Sequence, residues 1–314
     1  MALRGHPFIA EVHRASRGGH GGPPLQAHIG RRSFFESSRD MPSTNPIALV
    51  ISDIDGTLIT SNHEVREATK AAAAKLYDRG IELSLASSRP PRSITPLADA
   101  LRLSGPFAAF NGALVIKRDG EVLARSVIPV ETIARVKAVA DELGIAVWLY
   151  DELDWWTPWR DAFVDREEHT SGFSPRIDGY AERITRDANK LTVVGKPELV
   201  AQAEERVLAE MPNEISASRS KPRFLDVTAY GIHKGTVVVR LAAVLNIPTE
   251  SVAVIGDGPN DVEMFRQAGL SIAMGQAVDE VKDAASYVTT SNDDEGWAQG
   301  IERYVLGVYQ SAAS

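Results

Sequence analysis

Short apolar runs recur along this chain, and each gives way abruptly to acidic, hydroxyl-bearing or glycine positions. Ile47-Ala48-Leu49-Val50-Ile51 stops at Ser52-Asp53, the run over residues 81–86 stops at Ser87, and Val252-Ala253-Val254-Ile255 stops at Gly256-Asp257. Near-continuous apolar runs of this length predict strands buried on both faces, as in a parallel sheet. Between the first two, Val65, Ala68, Ala72 and Leu76 recur at helical spacing, and Gly80 stops that helix. After the third, residues 261–268 read as a helix and 270–274 as a strand. Alternating strand and helix predicts an α/β fold with a doubly wound parallel sheet.

The pattern breaks into two stretches of this kind, residues 45–116 and 230–306, separated by an insertion over 117–229. The insertion is large enough to be a domain of its own. A hairpin is expected at its start, with residues 114–117 turning at Asp119-Gly120 into 122–124. A helix over 131–143, strands over 146–150 and 190–194, a helix over 197–211 and a strand over 223–228 follow, without an internal repeat. Residues 1–44 differ in kind: four of the seven histidines and a glycine- and arginine-rich run lie there with little apolar periodicity. They are expected to be a disordered extension ahead of Met41.

Composition narrows the function. At 314 residues and 44% hydrophobic content there is enough chain for two moderate domains. A formal net charge of −8 argues against a general nucleic-acid binder. The absence of cysteine excludes disulfides, Cys-ligated zinc and a cysteine nucleophile. No run approaches the length of a membrane helix, so a cytoplasmic enzyme with no membrane partner is expected.

The chemistry concentrates in Asp53-Ile54-Asp55-Gly56-Thr57-Leu58, at the tip of the first strand. Open α/β sheets bind ligands at such tips. Two acids one residue apart in a strand would face opposite ways, but Gly56 bends the chain at once and lets both turn toward one site. Such a pair suits a nucleophile beside a proton donor. Asp and Gly also mark ordinary solvated turns. A second cluster, Gly256-Asp257-Gly258-Pro259-Asn260-Asp261, ends another distant strand and decides between the two readings. Carboxylates clustered without nitrogen or sulfur ligands select a hard divalent cation, with phosphate present Mg²⁺.

Taken in order, these motifs resemble the haloacid dehalogenase (HAD) superfamily phosphohydrolases of the Cof-like subfamily. The likeness covers nearly everything after the first forty-odd residues. Leu85-Ala86-Ser87-Ser88-Arg89-Pro90 resembles the second motif, where the family usually has Thr-Gly-Arg; Ser87 keeps the hydroxyl and Ser88 replaces the glycine. Asn111-Gly112-Ala113 resembles the turn before the cap insertion, and Gly231-Ile232-His233-Lys234-Gly235 the third motif. The resemblance implies a doubly wound HAD core with an inserted α/β cap domain. It implies Asp53 as nucleophile, Asp55 as general acid and base, and Ser87, Lys234 and Asn260 around the phosphate. Mg²⁺ would be held by Asp53, the Asp55 backbone carbonyl and Asp257, with Asp261 just behind them. A helix-terminal acid complementing the macrodipole is the other reading of Asp261.

Substrate choice is expected in the cap. Trp155, Trp156 and Trp159 are three of the chain's five tryptophans within five positions. Such rings pack on sugar faces or heteroaromatic rings, and equally well form cap core, the reading favoured for at least two of them. Asn111 joins them as a substrate candidate; Glu168 and His169 could contact a polyol or be exposed loop. The expected reaction is Mg²⁺-dependent hydrolysis of a small phosphate ester through an aspartyl-phosphate. A phosphomutase would need a second phosphate-binding set in the cap, for which Arg160, Arg166, Arg176, Arg183 and Lys190 are available. A phosphometabolite-binding regulator would not need both Asp53 and Asp55. Oligomeric state is not legible.

Overall fold

The computed structural model describes residues 46–307, and the extension expected over residues 1–44 lies outside the described residues. Strand β1 (Leu49–Ser52) is buried along its whole length, and α1 (Glu67–Asp78) carries the chain back to β2 (Glu82–Leu85), which pairs with β1 in parallel. Thr69, Ala72, Ala73 and Leu76 are buried on α1; of the positions that the helical spacing marks, Ala72 and Leu76 are among these, Ala68 is half-buried and Val65 precedes the helix. Next come α2 (Pro91–Ala100) and a three-stranded antiparallel sheet of β3 (Phe107–Ala109), β4 (Leu114–Ile116) and β5 (Val122–Arg125). A bridge between Ala86 and Ala108 attaches this small sheet to the edge of β2. Strand β5 pairs with β4 as the expected hairpin, and its Leu123 and Ala124 pack against the cluster containing Val115, which sets it with this small sheet although the sequence assigned it to the insertion.

The insertion contributes α3 (Val130–Glu142), β6 (Ala146–Tyr150), β7 (Trp155–Trp156), α4 (Ala162–Ser171), α5 (Tyr180–Arg183), β8 (Lys190–Val194), α6 (Pro197–Glu210), β9 (Ile215–Lys221) and β10 (Phe224–Ala229). Its five strands form an antiparallel sheet in the order β7-β6-β8-β10-β9. Val147, Leu149, Leu191, Val193, Leu225 and Val227 all join one apolar cluster with residues of α3 and α6. By the two-residue period of a strand, Trp148, Tyr150, Lys190, Thr192, Asp226 and Thr228 stand on the opposite face. Strands β7 and β9 were not anticipated. The first is two residues long, and the second is mostly exposed along an edge, so neither has an apolar run to read.

The chain then re-enters the parallel sheet through α7 (Lys234–Leu245), β11 (Val252–Gly256), α8 (Val262–Gln267), β12 (Leu270–Ala273), α9 (Asp279–Ala284), β13 (Tyr287–Val288) and α10 (Gly296–Gly300). The strand order is β13-β12-β11-β1-β2, all parallel. Successive residues of β1 and β11 alternate between two apolar clusters, so both faces of the sheet are covered. From β1 the chain moves to β2 on one side, and only after the insertion returns to β11 on the other. The connections therefore part at the carboxyl ends of β1 and β11, the topological switch point where such sheets open a crevice. Among the described residues no helix is long and apolar enough to cross a membrane.

Candidate active site

The sheet delivers the acidic motifs to this crevice. Asp53 follows β1 and Asp257 follows β11; the Asp53 amide donates to the Ile255 carbonyl (3.0 Å), which ties the two strand ends together. Between Asp53 and Leu58 the chain reverses at Gly56, whose φ is +78°. A Cβ at Gly56 would lie 2.3 Å from Asp257 Oδ2, so positive φ and close approach both demand glycine there. Thr57 Oγ1 donates to Asp257 Oδ1 (3.0 Å), locking the first motif to the fourth.

Lys234, the first residue of α7, is buried and donates to Asp53 Oδ1 (2.5 Å) and Asp261 Oδ1 (2.7 Å). Burial alone would lower its ammonium, but the Asp261 and Asp53 carboxylates outweigh that and hold it above its ordinary value. Asp261 is 0% exposed, and its Oδ2 accepts from the amides of Asp257 and Gly258 (3.0 and 2.9 Å). It therefore braces the fourth motif and Lys234, a role beyond a helix-terminal charge. Asp53 is pushed well above the usual carboxylate range by burial, opposed by Lys234 and reinforced by Asp261 and Asp257.

Oxygens of Asp53, Asp257 and Asp261 come within 4.8 Å of one another. Three carboxylates around one ammonium make an all-oxygen donor set short of positive charge, which fits a hard divalent cation. Both Asp261 oxygens are already engaged by Lys234 and the two amides. That leaves Asp53 and Asp257 as the carboxylates with the most free lone pairs. The Asp55 side chain turns elsewhere, to Arg89 Nε (2.8 Å) and Nη2 (2.6 Å). Burial raises the Asp55 carboxyl, but the hydrogen bonds and charge of Arg89 prevail and keep it below the ordinary range.

Ser87 is buried beyond the end of β2, its amide tied to the Ala108 carbonyl (3.1 Å) and its Oγ accepting from the Arg89 amide (3.1 Å). A cavity of about 280 Å³ gathers Asp53, Asp55, Ser87, Lys234, Asp257 and Asn260 in one lining. Its far wall is the polar and aromatic face of the antiparallel sheet, with Trp148, Tyr150, Lys190, Thr192 and Asp226, and with Glu167 from α4. Lys190 Nζ bridges the two walls, donating to the Ser88 carbonyl (3.0 Å) while paired with Asp226 Oδ1 (2.8 Å). Asn111 is not in this lining. It belongs to a smaller adjoining cavity that shares Asp226, Lys234 and Asn260 with the first, and its Oδ1 is buried without a hydrogen-bond partner.

None of the three tryptophans named as substrate candidates lines either cavity, and Trp155 and Trp156 are buried core, the reading favoured for two of them. Trp155 is 0% exposed, stacked on Tyr150 (5.8 Å between centroids) and bonded through its indole N–H to the Phe173 carbonyl. Trp156, one residue on, faces the opposite way into the cluster beneath α3 and α6, with Arg183 over its ring. Trp159 is 49% exposed and bonds its neighbour Asp161. Glu168 pairs with Arg160 and Ser174, and the residue that reaches the cavity is its neighbour Glu167. The lining residues Trp148, Thr192 and Asp226 were missed. The period-two pattern of Lys190-Leu191-Thr192-Val193 and Leu225-Asp226-Val227-Thr228 held the signal, since it sets their polar members on one face.

Comparison with known proteins gives concordant matches. A family model described as haloacid dehalogenase-like hydrolase matches residues 50–301. A haloacid dehalogenase-like hydrolase from Bacteroides thetaiotaomicron is 31% identical, with a TM-score of 0.76 over 82% of this chain and 99% of that one. The sugar phosphatase BT4131, of HAD subclass IIB, is 25% identical with a TM-score of 0.73 over 82% of this chain and 98% of its own. The 5-amino-6-(5-phospho-D-ribitylamino)uracil phosphatase YcsE of Bacillus subtilis is 24% identical over 83% of this chain and 96% of its own.

Proposed function

We propose, from the premise that this chain belongs to the haloacid dehalogenase-like hydrolases, that it is a phosphatase acting on a small phosphate monoester. The observation that carries the reading is the buried Asp53, held by Lys234 and tied to β11, in one cavity with Asp55 and Ser87. In the first half-reaction an Asp53 carboxylate oxygen attacks phosphorus as the bond to the ester oxygen breaks, and Asp55 gives that oxygen its proton. In the second, Asp55 takes a proton from water, whose oxygen attacks phosphorus and releases Asp53 and inorganic phosphate. Proton delivery asks Asp55 to exchange Arg89 for the leaving oxygen. Lys234 and the Ser87 hydroxyl bind phosphoryl oxygens and offset their charge, with Asn260 at the rim.

Mg²⁺ fits the donor set, with Asp53, Asp257 and the Asp55 backbone carbonyl to hold it. When bound it supplies the positive charge that the carboxylate cluster lacks and that a phosphoryl group requires. In this reading residues 45–125, which include β5 beside its partner β4, and 230–306 form the catalytic core, and residues 126–229 the cap.

The arginines available for a phosphomutase favour the phosphatase instead, since none of Arg160, Arg166, Arg176 and Arg183 lines either cavity. Arg160, Arg176 and Arg183 are each paired with a nearby carboxylate, and Lys190 is paired with Asp226. The test is phosphate release from a panel of phosphate esters with and without Mg²⁺. Release that depends on Mg²⁺ supports the reading. Isomerised ester without free phosphate would identify a mutase, and binding without any turnover a regulator.

A further inference from the structure

The turn that follows β1 is held from behind by the C-terminal part of the chain. Pairing of β1 with both neighbouring strands ends at Ser52, so the Asp53 carbonyl lies beyond the two ladders. It accepts from Ser52 Oγ (2.6 Å), and Ser52 Oγ accepts in turn from the indole N–H of Trp297 on α10 (2.8 Å). Ser52 is 0% and Trp297 1% exposed, which shuts both bonds off from solvent. An indole N–H only donates, and a hydroxyl has a single proton to give. The relay therefore runs one way, from Trp297 through Ser52 to the main chain of Asp53, and each bond polarises the next. Two more carbonyls of the turn are held from the same part of the chain: Gln276 Nε2 donates to Gly56 (2.5 Å) and Asn292 Nδ2 to Ile59 (2.9 Å). Gln276 is exposed and Asn292 half-buried, so water can take their place; nothing can replace the buried relay.

We infer that Trp297 is a positioning residue for the nucleophile: acting through Ser52, it fixes the peptide that carries Asp53 and so aims the attacking carboxylate. The inference rests on the phosphatase reading and adds to it a residue remote from the cavity. Lys234 anchors the Asp53 side chain at Oδ1, and the Ile255 carbonyl anchors its amide. The relay supplies the third anchor, at the carbonyl, and three anchors fix both the peptide plane and the side chain that leaves it. Trp297 also joins the apolar cluster that contains Ile54, Leu58 and Ile59, so losing its ring costs packing whatever its N–H does. The two contributions separate by experiment, because packing acts on stability and the relay on the rate of the folded enzyme.

Trp297→Phe keeps an aromatic ring and deletes the donor, and Ser52→Ala deletes the link. Ile301→Ala, which empties a buried apolar position of the same cluster, is the control for lost packing. With each chain shown by its melting curve to be folded at the assay temperature, Trp297→Phe and Ser52→Ala should lower kcat and kcat/KM together by about tenfold or more, equally for a small and a bulky ester. The double variant should lose no more than the worse single one, because both changes break the same relay. Ile301→Ala should lower the melting temperature and keep kcat. Wild-type kcat in Trp297→Phe, an equal loss of kcat in Ile301→Ala, or additive losses in the double variant overturns the inference. If no ester releases phosphate, the phosphatase reading fails separately, and beryllium fluoride, a phosphoryl mimic that adds to an aspartate carboxylate, then decides the relay. With Mg²⁺ it should raise the melting temperature of the wild type, and Trp297→Phe and Ser52→Ala should need about tenfold or more of it for half the rise. Equal requirements in all three chains, or no rise in the wild type, overturns the inference as well.

Discussion

The parallel sheet around β1 and β11 is apolar on both faces, with Leu49 and Ile51 in one cluster and Val50 in another. Polar chemistry has no place along such strands and is confined to their ends, where Asp53, Ser87 and Asp257 sit. The antiparallel sheet buries Val147, Leu191 and Leu225 on one face and turns Trp148, Thr192 and Asp226 to the cavity on the other. One sheet therefore acts through its edge and the other through its face. Residues at a strand end stay contiguous in sequence and form a motif. Residues on a sheet face are alternate positions of separate strands, brought together only by pairing.

Substitutions at the two places should fail in different ways. The largest effect is expected at the strand ends: Asp53→Asn removes the attacking charge and should lower kcat by about a thousandfold or more with the chain still folded. Steady-state kinetics alongside a melting curve checks this, and near-wild-type turnover would reject Asp53 as nucleophile. Gly56→Ala forces a Cβ to within 2.3 Å of Asp257 Oδ2 and strains a φ of +78°. Displacement of the two motifs by about 1 Å should cost about a hundredfold in kcat/KM for every ester alike. A loss confined to bulky esters would show that Gly56 acts on the substrate and not on the acids.

In the antiparallel sheet the expected currency is stability. Trp155→Ala empties a fully buried site and should cost about 3–5 kcal/mol in denaturant unfolding, without reordering substrates. A changed ranking of esters at unchanged stability would return this tryptophan to the substrate site. Lys190→Met leaves Asp226 buried without its cation and should cost about 3–5 kcal/mol, most of it recovered in the double variant Lys190→Met/Asp226→Leu. Failure of the double variant to recover would make the bond from Lys190 to the Ser88 carbonyl the larger part of its role. Trp159→Ala, at an exposed edge, should stay within about 0.5 kcal/mol of wild type and keep its kinetics. A selective loss with any ester would break the separation between cavity wall and outer surface.

Most elements of the fold were legible because their residues announce themselves locally. The strands expected over 146–150 and 190–194 match β6 and β8, and the helix expected over 197–211 is α6. Strand β7 and α4 were missed, since a two-residue strand and a helix with Val164 as its single buried residue carry almost no apolar period. Residues flagged for catalysis and phosphate binding converge on one cavity. Trp155 and Trp156 were conspicuous by composition alone, and consecutive strand positions face opposite sides, so both could not have pointed into one site.

The sequence by itself determined where the acids stand, because an apolar strand that ends in Asp-x-Asp-Gly or Gly-Asp-Gly fixes both the carboxylates and the turn that aims them. It also determined the α/β class, through the alternation of strand and helix periods. Only the tertiary structure decided that Asp55 is held by Arg89, that Asp261 spends its two oxygens on Lys234 and on the amides of its own loop, and that Trp148 and Asp226 share a row. The physical reason is range. Strand, turn and helix signals act over a few residues, whereas an ion pair, a register and an unpaired buried oxygen depend on groups that lie far apart in the chain until the sheets form.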